Sequence, residues 1–191
     1  MTRIAIIDPQ PAVRTGLSVL LRAEPGLVPI GAASGIADGE TLLRRLRADV
    51  LLVEHRLLDG DGVSLCRRLR AAGDGPRVIL YTAAEDPALA LIARVAGADG
   101  LVAKTAPPSE LFEAIRMVAR GGCALPPVTR DQLDAAAHHV DTDDLALLAM
   151  LVDRTPPSEV AETLRMDRRR LAGRIERLLG RLRGKPRPIP V

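Results

Sequence analysis

Along the first 120 residues, short apolar runs alternate with amphipathic stretches. The runs fall at residues 3–7, 28–33, 50–53, 78–81 and 101–103. They are rich in Val, Ile, Leu and Ala and are bounded by Gly, Pro, Asp or Glu. Between them, apolar residues recur at helical spacing. Val13, Leu17, Leu20 and Leu21 share one face, as do Val63, Cys66 and Leu69, and Leu111, Ile115 and Val118. Strand–helix alternation of this kind predicts a parallel sheet covered on both faces. Five strands and five helices make an α/β doubly wound domain over residues 1–120. Sites in such a sheet lie at the carboxyl ends of the strands.

The pattern breaks at Gly121-Gly122-Cys123-Ala124-Leu125-Pro126-Pro127, which ends the fifth helix and opens a linker over 121–140. His138 and His139 read there as a solvated pair, because adjacent histidines on a helix point away from each other. From Asp141 the pattern is purely helical. The acids of Asp141-Thr142-Asp143-Asp144 suit a helix N-terminus, and Leu145, Leu148, Ala149 and Val152 are expected to line the apolar face. Thr155-Pro156-Pro157-Ser158 is a break and a restart, with Ser158 or Thr155 as the cap of a short helix over 159–164. Asp167 then caps a longer helix over about 168–183, with Leu171, Ile175, Leu178, Leu179 and Leu182 at helical spacing. Residues 141–184 thus form a small all-α helix-turn-helix domain. The tail 185–191 is Pro at every second position and cannot be helical.

Composition narrows the function. The chain has 191 residues, 47% of them hydrophobic, which excludes broad disorder. Tyr81 and Phe112 are its aromatic residues, so the core is aliphatic and base-stacking platforms are excluded. Two cysteines, Cys66 and Cys123, exclude a disulfide scaffold or zinc-finger array. Cys66 reads as core filler. No apolar run reaches membrane-spanning length, and the N-terminus has no signal-peptide layout, so a cytoplasmic protein without membrane partners is expected. Basic residues comprise 25 Arg and two Lys, a bias that reads first as GC-rich coding. Residues 1–125 hold 15 basic and 14 acidic residues, residues 126–164 hold 2 and 8, and residues 165–191 hold 10 and 2. A near-neutral body with a strongly basic end points to double-stranded DNA as partner. Arg168, Arg169, Arg170, Arg174, Arg177 and Arg181 are the expected contacts. The first of these sit at a helix N-terminus suited to the major groove, with Arg169, Arg170 and Arg174 reaching base edges. The stripe 170, 174, 177, 181 is one that a solvated amphipathic helix also displays; the basic excess with few compensating acids favours DNA contact.

The ordered motifs resemble the NarL/FixJ-type response regulators, a receiver domain joined to a LuxR/GerE-type helix-turn-helix. Residues 7–17, Ile-Asp-Pro-Gln-Pro-Ala-Val-Arg-Thr-Gly-Leu, are similar to the family opening. The stretch from Asp49 to Gly62, Thr82-Ala83, and Gly97-Ala98-Asp99-Gly100-Leu101-Val102-Ala103-Lys104 follow at the family spacing, and 159–182 follows the helix-turn-helix without a gap. The resemblance covers nearly the whole chain and implies a receiver-like domain over 1–120, a DNA-binding domain over 141–184 and regulation of transcription in a two-component system. With the composition, it points to a GC-rich, actinobacterial-like source.

The departures matter as much. The family holds Mg²⁺ with two adjacent acids after the first strand and phosphorylates an Asp after the third. Here Asp8 is followed by Pro9, and Glu54 stands at the phosphoacceptor position; Thr82 and Lys104 are kept. Leu58 replaces a Pro, and Leu101 replaces the aromatic to which the family's switch couples its Thr. Mg²⁺ needs well-placed carboxylates, and Glu is a methylene too long where errors of about 1 Å matter. The expectation is a relic pocket of Asp8, Glu54, Thr82 and Lys104 with no metal, no cofactor and no phosphorylation. Glu54 there either imitates the phosphorylated state or forms a plain ion pair with Lys104. In the DNA-binding part, Arg154 replaces the family's turn Gly, Ala172 its recognition-helix Lys, and the fourth helix used for dimer contacts is missing. A homodimer would then rest on the receiver, and control on a small-molecule or protein modulator. The alternative reading is an interaction protein that pairs with another response regulator without reading DNA. No catalytic triad, zinc spacing or phosphate loop is present, so an enzyme is not expected.

Overall fold

A computed structural model describes residues 1–73, 75–84 and 86–184; the Pro-rich tail 185–191 lies outside the described residues. In chain order the elements are β1 (Thr2–Ile7), α1 (Pro11–Ala23), β2 (Leu27–Ala33), α2 (Ile36–Arg45), β3 (Val50–Val53), β4 (Arg56–Leu57), β5 (Gly60–Asp61), α3 (Gly62–Ala72), β6 (Arg77–Thr82), α4 (Leu89–Ala96), β7 (Gly100–Ala103) and α5 (Pro108–Ala119). They continue with α6 (Arg130–Ala137), α7 (Thr142–Val152), α8 (Pro157–Thr163) and α9 (Arg168–Leu182). No helix among the described residues is long and apolar enough to cross a membrane.

The chain divides into two compact units, Met1–Glu85 with Ala98–Pro126, and Asp86–Gly97 with Pro127–Val191. The first is built on a five-stranded sheet in the order β2-β1-β3-β6-β7, parallel throughout. All five predicted strands are present. Successive residues of a strand point to opposite faces, so the buried runs of β1 and β3 serve two cores at once. Ile4, Ile6, Val50, Leu52 and Ile79 pack with Leu17 and Leu21 of α1 and Leu111, Ile115 and Val118 of α5. On the other face Ile7 lies so close to α2 that a Cβ on Gly39 would meet its Cδ1 at 2.2 Å. Leu20 was expected on the inner face of α1 but is 42% exposed, because the helix presents Leu17 and Leu21 to the sheet. In α3, Leu65 joins Val63 and Cys66 in the interior, and Leu69 is only half-buried. Burial pushes the Cys66 thiol up to about 12, which suits filler rather than a reactive thiolate.

A small hairpin, β4 with β5, follows β3. Leu58 at its tip is 91% exposed. Its neighbour Asp59 caps α2 from a distance, accepting from Ile36 N (2.9 Å) and Ala37 N (3.1 Å). These bonds hold the Asp59 carboxyl below its usual range. Asp61 caps α3 by accepting from Ser64 N at 2.8 Å. The chain turns so tightly that a Cβ on Gly62 would lie 2.4 Å from the carbonyl oxygen of Glu54.

In the second unit, α4 packs against α7 and α9. Leu89, Ala90, Leu91, Ile92, Ala93, Val95 and Ala96 are all buried, and a helix apolar on every side needs cover on every side. Residues 86–97 were expected within the 1–120 domain. The expected linker 121–140 contains α6, fixed by a capping box in which Thr129 Oγ1 accepts from Gln132 N and Gln132 Oε1 accepts from Thr129 N. His138 and His139 are exposed at its end.

Three expectations for the helical region are corrected. The buried face of α7 is Asp144, Leu147, Leu148 and Leu151, while Leu145 and Ala149 face outward; the helix is turned so that Asp144 points inward. Asp141 occupies the N-cap of α7 but makes no side-chain cap bond; its carboxylate meets an arginine instead. The N-cap of α8 is Pro156, with Pro157 opening the helix, and neither Thr155 nor Ser158 caps it. Proline suits that place, because the N–H it lacks would be unsatisfied there. Asp167 does cap α9 as expected, accepting from Arg170 N at 2.8 Å. Arg154, after α7, and Arg165, after α8, adopt left-handed conformations (φ 59° and 50°). Arg154 N donates to Leu151 O and Thr155 N to Met150 O, with the equivalent pair after α8. Both helices therefore close in Schellman turns, with Arg where Gly is usual.

Gly62→Ala is expected to destabilise the protein by about 2 kcal/mol through overpacking against the Glu54 carbonyl. Gly16→Ala, on the exposed face of α1 with nothing within 4 Å of its added Cβ, is expected to stabilise by about 0.5–1 kcal/mol. Urea denaturation of the two variants reads both; equal effects would contradict the packing described.

Candidate functional site

The carboxyl ends of four parallel strands bring together Asp8, Glu54, Thr82 and Lys104. Backbone bonds carry the sheet just past its last residues. Asp8 N donates to Ala33 O (3.1 Å), Glu54 N to Ile7 O (2.9 Å) and Lys104 N to Thr82 O (2.8 Å). The four side chains thus converge from β1, β3, β6 and β7, as the sequence led one to expect.

Lys104 is the centre of the arrangement. Its Nζ lies 2.5 Å from Asp8 Oδ2 and 2.7 Å from Glu54 Oε2. The three side chains are 12%, 2% and 8% exposed. The Asp8 Oδ2 contact is an ion contact without hydrogen-bond alignment. Thr82 Oγ1 donates to Glu54 Oε1 at 2.5 Å, and Arg56 N donates to the same oxygen at 3.2 Å. Gln10 N, just beyond Pro9, donates to Asp8 Oδ1 at 2.9 Å. Arg14 Nη1 bridges the carbonyls of Asp8 and Pro9. Each carboxylate oxygen of the site therefore faces a donor of this chain. Arg56 N–H is a member the sequence could not announce, since a backbone donor leaves no residue-type signal.

The electrostatics follow from these contacts. Burial by itself would push the Glu54 carboxyl up. Hydrogen bonds from Lys104, Thr82 and Arg56 N outweigh it, and the carboxyl sits below the usual range. Burial would likewise lower Lys104, but Asp8 and Glu54 outweigh it and hold the ammonium above its ordinary value.

The family resemblance implies Mg²⁺ at this place, and the donor set does not fit it. Pro9 supplies no carboxylate, and the Lys104 ammonium stands against both remaining ones. A hard dication needs several oxygens freed from such contacts. No group of three His, Cys, Asp or Glu among the described residues could hold a metal. Leu101, in place of the family's aromatic, is half-buried in β7.

The model of the response regulator receiver domain matches residues 4–116. The chain belongs to the response regulator family. One relative is the DNA-binding transcriptional activator DevR/DosR of Mycobacterium tuberculosis, 29% identical over 192 residues, spanning 95% of this chain and 88% of that protein. Another is the response regulator RamR of Streptomyces coelicolor, 33% identical over 169 residues, spanning 88% and 83%. A solved LuxR-family response regulator from Aurantimonas superposes with TM-score 0.64 at 28% identity, over 72% of this chain and 99% of that one. The DNA-bound RcsB dimer structure matches at TM-score 0.64 and 19% identity over 97% and 94%. That likeness extends the family fold through the C-terminal helices.

This response regulator carries its second set of expected residues on α9. Arg168, Arg169, Arg170 and Arg177 are exposed. Arg174 and Arg181 are not free in the way the sequence stripe suggested. Arg174 Nε donates to Asp144 Oδ1 and its second nitrogen to Asp143 O. Arg181 meets Asp144 Oδ2 at 2.9 Å and Asp141 Oδ2 at 2.5 Å. Asp144 is 6% exposed. Sequence reading assigned these acids to helix capping; eight acids beside a basic helix were the signal for pairing.

Lys104→Met is expected to cost about 3 kcal/mol at pH 7, because it strands two buried carboxylates. The loss shrinks as the pH falls toward 4, where protonation relieves them. The intact protein behaves in the opposite sense. Glu54 is depressed, so its contribution is full above the unfolded value of about 4.3 and fades as pH falls through the lower folded value. Lys104 is raised, so its contribution is full below about 10.4 and fades as pH rises through the higher folded value. Urea denaturation of both proteins across pH 4–10 measures this. A Lys104→Met penalty independent of pH would contradict it.

Proposed function

We propose that the protein is a DNA-binding transcriptional regulator whose receiver-like part works without phosphoryl transfer. The observation that carries this reading is the Lys104 ammonium set between Asp8 and Glu54, with Thr82 on the other Glu54 oxygen. Phosphoryl transfer needs a nucleophilic carboxylate beside a bound cation. Both Glu54 oxygens are engaged here, and the cation's ligands are engaged with lysine. Lys104 and Thr82 rest on Glu54 as they would on an added acidic group, which supports a receiver already in one state. The proposal assigns residues 1–120 as receiver-like, 121–140 as a connection that includes α6, and 141–184 as the DNA-binding part. The protein carries out no reaction of its own.

DNA contact is proposed for Arg168, Arg169 and Arg170 in the first turn of α9 and for Arg177 two turns on. Asp167 fixes that first turn, and a helix N-terminus in the major groove presents such residues to bases and phosphates. A Cβ on Gly173 would come 3.7 Å from Arg177 Nη1, and one on Gly180 would meet nothing within 4 Å. These two half-buried glycines carry no side chain that would hold DNA away from the helix backbone. Being DNA-bound dimers, the RcsB structures support double-stranded DNA as the partner and homodimerisation as the mode. A second reading, a partner of another response regulator with weak DNA affinity of its own, is favoured by one observation. Two of the α9 arginines are neutralised by acids of α7.

The full-length protein, incubated with acetyl phosphate and Mg²⁺, is expected to show no acid-labile mass gain. In fluorescence anisotropy it is expected to bind selected DNA equally before and after that treatment. A stoichiometric phosphoryl adduct would falsify the phosphorylation-independent reading. Arg170→Ala with Arg177→Ala is expected to weaken DNA binding at least tenfold at fixed salt. Weak, motif-free binding by the wild type would favour the partner reading instead.

A further inference from the structure

We infer that Asp144 is a positioning residue for α9 that decides which of its arginines DNA can reach. The inference rests on the DNA-binding reading above. Asp144 lies in the first turn of α7, buried, with both carboxylate oxygens facing α9. One oxygen takes Arg174 Nε and the other Arg181 Nη1. The two arginines are seven residues apart, two helical turns, and so lie on the same side of α9. One carboxylate spans both turns. Asp143 O and Asp141 Oδ2 complete the set. Arg174 and Arg181 are 22% and 31% exposed, against exposed Arg170 and Arg177 on the neighbouring line.

Two consequences follow. The clasp fixes the rotation of α9 about its axis, because a paired Arg174 and Arg181 place Arg169, Arg170 and Arg177 outward. It also removes two charges from the DNA-facing count. A solvated stripe of four arginines would bind any duplex by counterion release. Withholding two lowers that sequence-independent attraction and leaves a larger share of the affinity to base contacts. Asp144 thereby favours discrimination over raw affinity.

The experiment is a salt titration of DNA binding by the full-length protein, read as the slope of log K against log salt, on a selected site and on random duplex. Each phosphate contact contributes about 0.9 to that slope. In the wild-type background, Arg174→Gln or Arg181→Gln taken singly, with the other arginine still held by Asp144, is expected to leave the slope unchanged, whereas Arg177→Gln lowers it by about 0.9. Asp144→Asn keeps the shape and removes the charge. It is expected to steepen the slope by about 1–2 and to narrow the ratio of selected to random affinity by at least threefold. Flattening by either single variant, Arg174→Gln or Arg181→Gln, in the wild type, or an unchanged slope in Asp144→Asn, would overturn the inference. Should Asp144→Asn not fold, the two arginine variants decide the matter alone. Absence of DNA binding by the wild type would instead overturn the proposed function and this inference with it. An Arg177→Gln effect without an Asp144→Asn effect would overturn only the inference.

Discussion

A lysine ammonium between two buried carboxylates governs the sheet end of this protein. Taking one such charge out of water costs several kcal/mol, and geometry must offset it. Lys104 meets that demand by touching Asp8 and Glu54 together, while Thr82 and Arg56 N satisfy the remaining Glu54 oxygen. Because the groups come from the ends of β1, β3, β6 and β7, each depends on strand register. The register in turn depends on aliphatic packing against α1 and α5 on one face and α2 and α3 on the other. The tight turn at Gly62 and the Asp59 cap of α2 hold the loop that presents Glu54. The sheet end is a closed set of internal contacts around one ammonium.

The helical end repeats the same logic with the signs exchanged. There a buried carboxylate, Asp144, collects two cations. Net charge describes that region poorly. Residues 165–191 carry an excess of eight positive charges, yet Arg174 and Arg181 among them are paired with acids of α7 and its N-cap. Two acids of the strongly acidic 126–164 segment, Asp141 and Asp144, are thus the partners of α9. Arg in the left-handed position after both α7 and α8 keeps the turns short, so the acid-bearing and arginine-bearing helices stay in reach.

Much of this was legible in the residues. The five strands were readable because parallel strands buried on both faces are continuous aliphatic runs, and β1, β3 and β7 have little else in them. The convergence of Asp8, Glu54, Thr82 and Lys104 was legible through motif spacing. What escaped was of four kinds. The facing of α7 was misread because its leucines offer two plausible stripes, and a buried acid at position 144 contradicts the usual assumption that charge faces water. Helix α6 was read as linker; its signal was Thr129 with Gln132 three residues on, a capping box hidden behind two prolines. Helix α4 is apolar all round, so periodicity gave no hint of which elements cover it. The Arg stripe on α9 was regular in sequence, but only side-chain geometry separates a paired arginine from a free one.

The most direct test of the account is an NMR titration of the lysine side chains. The chain has two lysines, Lys104 and Lys185, so selective ¹³Cε labelling yields two assignable signals, separated by a Lys185→Arg variant. The account predicts that Lys104 remains protonated to higher pH than an ordinary lysine, and that Glu54→Gln lowers its titration toward the ordinary value. Lys104 titrating at or below the usual lysine value, with no response to Glu54→Gln, would show that the ammonium is not held by the two carboxylates and would contradict the central claim.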